Sequence, residues 1–232
     1  MKKLALSLTQ LLPIALAVGC AVFMPSLDVQ AQEPVTRPWL DAMWGNENTR
    51  RFIAPAIESN GVAFLPTRAV RGELERSHVS TDIIGLLTQP RYLAQNLTFM
   101  VCQFTCDNCG SSSEETTSFN QLVFDKTFYL KQLENAHLDD QLHGKTLHQS
   151  LGPPDGPPQN FNAVIVVFVN GHLHKENGAF RIVARLWYRD QGSSAKQLDS
   201  TDFVSANNRR NMKVAATSIA DWSISRLREQ IR

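Results

Sequence analysis

The chain has almost no charge surplus of either sign. Its 232 residues carry 23 Lys and Arg against 22 Asp and Glu. Residues 1–31 hold two of the basic side chains (Lys2, Lys3) and one of the acidic (Asp28), so 21 of each remain beyond them. A balanced chain is poorly suited to nucleic acid, which is held through a basic excess against phosphate. Motifs of common chemistries are missing too: no Gly-x-x-x-x-Gly-Lys phosphate loop, no dinucleotide fingerprint and no Gly-x-Ser-x-Gly nucleophile elbow. Nothing calls for a cofactor, and no internal repeat or second long apolar run follows the first.

What is present begins with an export signal. Lys2 and Lys3 precede an apolar stretch from Leu4 to Met24, which Pro25, Ser26 and Asp28 break. Val29-Gln30-Ala31 then matches the small-residue pattern before a signal-peptidase cut. Residues 1–31 are therefore expected to be a signal peptide, and the working protein to be periplasmic or secreted from a bacterium. Pro13, Thr9 and Gln10 interrupt the run, which argues against a permanent anchor. The tetrad Ala17-Val18-Gly19-Cys20 resembles the lipoprotein box, and that resemblance implies a lipid anchor on Cys20 as the alternative.

Along the remaining chain, residues 32–38 read as a flexible lead-in and 39–151 as an N-terminal α/β half. Helices are expected from Asn48 or Thr49 to Ser59, against the objection of Pro55, and through most of 67–95. Val62–Leu65 reads as a short strand and Leu97–Phe104 as a longer one. A Ser-rich loop over Cys106–Thr117 leads to an expected return strand at Phe119–Phe124 and a helix at Phe128–Leu142. Gly152–Pro158, with four prolines in seven residues, cannot continue a helix or a central strand. Residues 152–160 are thus a stiff connector.

Residues 161–232 carry the clearest pattern. Phe161–Asn170 is apolar on both alternating faces, as a doubly covered strand is. His172–Gly178 is a hairpin loop with Asn177-Gly178 as its turn signal. Phe180, Ile182, Ala184, Leu186 and Tyr188 then point one way, and Arg181, Val183, Arg185, Trp187 and Arg189 the other. A shorter strand, Leu198–Ser205, leads to Asn207 or Asn208 as the cap of a helix. Its stripe is Met212, Ala216, Ile219, Ala220, Ile224, Leu227 and Ile231. The fold class is α+β: an antiparallel sheet with a C-terminal three-stranded meander, packed against helices that include an amphipathic C-terminal one. This order resembles the N-terminal domain of TolB-type proteins and curli-secretion lipoproteins over about 70 residues, and the resemblance implies topology alone.

Cys102, Cys106 and Cys109 are the first candidate site. C-x3-C-x2-C is the spacing of the iron–sulfur loop in radical enzymes that use adenosylmethionine. An oxidising compartment and the 123 residues that follow Cys109 speak against that chemistry. A disulfide suits an exported protein, with the pairing open among the three. Thiol–disulfide exchange at Cys106 and Cys109 would need a helix N-terminus just after the first cysteine, and the Ser-rich stretch shows none. His137, Asp140 and His143 are a possible metal set: Asp140 and His143, three apart, or Asp139 and His143, four apart, could share an ion on one helical face, while His137 lies about 120° round the helix from His143. Arg181, Arg185, Trp187 and Arg189 form a ladder that either meets an anionic polymer or packs its stems beneath the helix. The leading expectation is a non-catalytic cell-envelope binding or assembly domain whose partner is an envelope protein or an anionic polymer. The rivals are a metal-binding protein or hydrolase, and a periplasmic thiol–disulfide protein.

Overall fold

The computed structural model describes residues 33–94, 96–107, 109, 114–133, 148, 150–206 and 208–231. Residues 31–232 form one compact unit. The expected signal peptide and Cys20 lie outside the described residues, as do His137, Asp140 and His143.

The fold is α+β. Helices α1 (Arg37–Gly45), α2 (Ile53–Asn60), α3 (Arg68–Arg76), α4 (Thr81–Leu87) and α5 (Pro90–Ala94) precede strand β1 (Leu97–Asp107). Helix α6 (Glu114–Leu133) follows, then strands β2 (Ile165–Glu176), β3 (Ala179–Asp190) and β4 (Lys196–Ala206), then helix α7 (Arg209–Ile231). The four strands lie in the order β1-β2-β3-β4. β2, β3 and β4 make the antiparallel meander, and β1 joins it parallel to β2, so the sheet is mixed.

Local chemistry sets the helix starts. Thr36, Thr67, Ser80 and Asn208 each accept a backbone N–H from the residue three positions on, which satisfies a first-turn donor. Pro38 sits in the first turn of α1, where its missing N–H costs nothing. Pro55 is equally harmless, because α2 starts at Ile53 after a 3₁₀ turn at Arg50–Phe52. At the far end of α7, the Arg71 guanidinium donates to the carbonyls of Gln230 and Ile231 and ties α3 to that terminus.

The strand alternation on β3 divides the sheet into two faces. Phe180, Ile182, Ala184 and Leu186 are fully buried under α6 and α7, joined by Phe104, Val167, Val169 and Leu173. From the helices come Phe119, Val123, Ala216, Ile219 and Leu227. Phe104 and Phe119 meet edge to face with centroids 5.5 Å apart.

Several expectations are corrected. Phe119–Phe124 belongs to α6 and is no return strand: Phe119, Asn120, Val123 and Thr127 are buried, a spacing only a helix brings to one side. The Ser-rich loop is correspondingly shorter, since β1 continues to Asp107 and α6 starts at Glu114. β2 starts four residues later than read, at Ile165, and runs through His172 and His174 to Glu176. The loop between β2 and β3 shrinks to Asn177-Gly178, both at positive φ (48° and 77°), the turn that matches the twist of a tight hairpin. Val35 is 2% exposed and bridged to Val62, and Val62 N also donates to Tyr92 O, so among the described residues Val62–Leu65 makes an isolated bridge and no strand of the sheet.

Candidate functional site

The second face of the sheet is covered over only part of its length. Between Val101 and Phe104 the register of β1 shifts, so that Cys102 and Gln103 stand opposite Asn170. Asn120 of α6 meets the backbone there, its side chain accepting from Phe104 N at 2.7 Å and donating to Phe104 O at 3.1 Å. On the outer edge of β1, Gly152 bridges Cys102, with Gly152 N donating to Val101 O and Gln103 N to Gly152 O. The proline-rich connector therefore lies against the sheet. Beneath it Met100, Cys102, Val166 and Phe168 form a second apolar cluster, with Phe161, Ala163 and Trp187 packed on it.

This arrangement divides the arginine ladder. Arg189 is buried and donates to the carbonyls of Pro157 and Pro158, both at 3.0 Å. Trp187 stacks on Phe168 with planes 9° apart, and its Nε1 donates to Asn170 Oδ1 at 2.9 Å. Asn170 in turn donates to Pro154 O at 2.8 Å. The element that covers this end is the connector, and the C-terminal helix lies on the opposite face. Arg181 and Arg185 stand beyond the connector, toward the hairpin end of the sheet.

There the register aligns side chains in rows across the strands. Asp107, His174, Arg181 and Val204 form one row; Thr105, His172, Val183 and Asp202 form the next; Asn170, Arg185 and Ser200 form the third. Asp107, His172, His174, Glu176, Arg181, Val183 and Arg185 line a shallow depression of about 520 Å³. The Arg181 guanidinium donates to Asp202 from Nε at 2.8 Å, and that contact holds its pKa above the ordinary value. Thr105 Oγ1 and His172 Nδ1 share a hydrogen bond. Arg185 has no ion pair among the described residues.

The cysteines fall on both sides of the sheet. Cys106, in the last turn of pleat in β1, is disulfide-bonded to Cys109 with Cα atoms 5.7 Å apart. Cys102 is a free, fully buried thiol under the connector, and burial pushes its pKa up to about 12. A thiol in that state is inert toward exchange. Cys106 lies inside a strand, so no helix N-terminus stands at the first cysteine of the pair.

Sequence reading placed His172 and His174 in a hairpin loop, apart from the arginine ladder, whereas both stand on β2 directly beside it. The signal was available: Phe168, Asn170, His172, His174 and Glu176 keep period 2 up to Asn177-Gly178, and a two-residue turn carries its strands up to its flanks. Among the described residues no group of three His, Cys, Asp or Glu side chains is close enough to hold a metal ion, and no helix is long and apolar enough to cross a membrane.

No protein-family model matches the chain, and no curated protein matches it in sequence. Among solved structures, a PelC dodecamer from Paraburkholderia phytofirmans aligns with 13% identity and a TM-score of 0.33, over 60% of this chain and 91% of that one. A single-substitution variant of the same dodecamer gives 10% and 0.32, over 58% and 88%. The crystal structure of an uncharacterized protein gives 14% and 0.32, over 58% and 92%. Overlaps this loose carry no inference about role.

Proposed function

We propose that the chain is an exported, non-catalytic binding domain of the bacterial cell envelope, and that the uncovered part of its sheet holds an anionic polymer. One observation carries this reading. Among the described residues, helices seal one face of the sheet and prolines cover half of the other, and the strip left open there presents Arg181, Arg185, His172 and His174 in adjacent rows. Strand-borne side chains are fixed in spacing and direction, which suits a repeating ligand better than a small one. Arg185 is the anchor, since its charge is not spent on a carboxylate among the described residues. Export rests on the sequence of residues 1–31, and the intact mass of the mature protein distinguishes a cut after Ala31 from lipidation at Cys20.

The test uses the mature chain with fluorescein-labelled dextran sulfate in an anisotropy titration, and unsulfated dextran as control. Weak binding, with a dissociation constant of about 1 mM and further weakened by salt, is expected for four exposed charge contacts of up to about 1 kcal/mol each. Arg185→Glu should weaken it about tenfold or more while leaving the thermal midpoint within about 2 °C, since one exposed ion contributes little to folding. Binding that ignores Arg185→Glu, or equal affinity for unsulfated dextran, overturns the reading.

A further inference from the structure

We infer that polyanion binding at this strip is gated by protons, with His172 and His174 as the groups that open it. The inference rests on the binding reading above and adds its regulation. His172 is exposed and His174 half-buried. Around them the charged groups come from every neighbouring strand. Asp107 of β1 stands across from His174 on one side and Arg181 of β3 on the other. Glu176 follows two positions along β2 on the same face. Asp202 of β4 ends the row of His172, bound to Arg181. Arg185 lies one row further toward the connector, whose Asp155 follows Pro154, the acceptor of Asn170.

The charge balance of the strip changes sign with the imidazoles. Within the strand rows and Glu176 beside them, two guanidinium groups, Arg181 and Arg185, stand with three carboxylates, Asp107, Glu176 and Asp202, while Asp155 lies on the connector outside the depression's lining. With both histidines neutral the strip has a net charge of −1; with both protonated it is +1. Histidine is the side chain whose charge ordinarily changes between about pH 5 and 8, while Asp, Glu and Arg hold theirs across that range. A polyanion is thus held mainly by Arg185, and more weakly, in neutral solution, and gains two further favourable contacts in mild acid. Arg185 supplies the fixed contact, and the two imidazolium groups offset Asp107 and Glu176.

The experiment repeats the dextran sulfate titration from pH 7.5 to 5.5, because sulfate esters keep their charge over that interval. Affinity should rise about tenfold toward pH 5.5, the effect of two added exposed charges at about 0.7 kcal/mol each. The double variant His172→Gln/His174→Gln should hold its affinity within about twofold across the range. His78→Asn/His148→Gln, outside the strip, should keep the full tenfold rise. Binding that is present but equal at both pH values overturns the gate and leaves the binding reading standing. A rise that survives in the His172/His174 double variant also overturns the gate. Failure to bind at any pH removes the binding reading itself, and the gate with it. Circular-dichroism melts at both pH values check that each variant is folded.

Discussion

The two faces of one sheet are built by different means. Under α6 and α7 the face is sealed by an alternating stripe, in which every second residue of β3 from Phe180 to Leu186 is fully buried. On the other face the same strand offers Arg181, Val183, Arg185, Trp187 and Arg189, and a short run of prolines held by specific hydrogen bonds covers only the Trp187 and Arg189 end. The helical side depends on area and shape, so it tolerates exchange among apolar residues of similar volume. The connector side depends on a few carbonyls placed to receive Arg189 and Asn170. Where those contacts stop, the strand's polar residues remain in water and become available to a ligand.

The largest expected effect lies on the helical face. Phe180→Ala should cost about 3–4 kcal/mol, read as a lowered midpoint in urea unfolding, because it empties a fully buried ring site. A loss below about 1 kcal/mol would mean that this face is not the core of the domain.

Next comes the connector. Gly156 has φ +93°, and a Cβ there would meet the Phe168 ring at 2.6 Å. Gly156→Ala should therefore cost about 2 kcal/mol through left-handed backbone strain and displacement of that ring. It should also raise the reactivity of Cys102 toward a thiol reagent, which in the parent protein is labelled only on unfolding. Rapid native-state labelling of Cys102 in the parent would show that the connector does not seal this half of the face.

The smallest effect concerns Asp190 at the end of β3, where the carboxyl accepts Leu65 N at 3.0 Å. Burial pushes its pKa above the usual carboxylate range, and the Leu65 hydrogen bond and Lys196 oppose that shift. An acid whose pKa is higher in the folded state binds more protons folded than unfolded. Its contribution to stability is therefore complete below the unfolded value near 4 and declines as pH rises through the folded one. Asp190→Asn keeps an acceptor for Leu65 and removes the charge, so it should melt no lower than the parent at pH 7 and lose that decline. An unchanged pH slope in the variant would locate the titration elsewhere.

Much of this was legible in the sequence. The meander and the terminal helix follow from period-2 and period-3.6 patterns long enough to be unambiguous, and Asn177-Gly178 marks its turn by chemistry alone. Phe119–Phe124 reads equally well as strand or helix because six residues are too few to show a period; the burial of Asn120 within it and of Thr127 beyond it decides for the helix, and Asn120 is held by the Phe104 backbone beside the register shift in β1. The Cys106–Cys109 bridge was one of three possible pairings. What separated them was that Cys102 turns under the connector while Cys106 turns toward the other side.

The sequence by itself determined the α+β class, the alternation that gives β3 two faces and the near-zero charge balance. These are properties of local pattern and composition, and they survive any choice of packing. Only the tertiary structure decided which half of the second face stays open. That depends on where a proline-rich segment far from β3 in the chain comes to rest, and on the parallel pairing that brings Asp107 and Thr105 beside His174 and His172. Contacts between residues 16 to 67 positions apart leave no periodic trace in a single sequence, so the candidate strip became visible only once the strands were laid side by side.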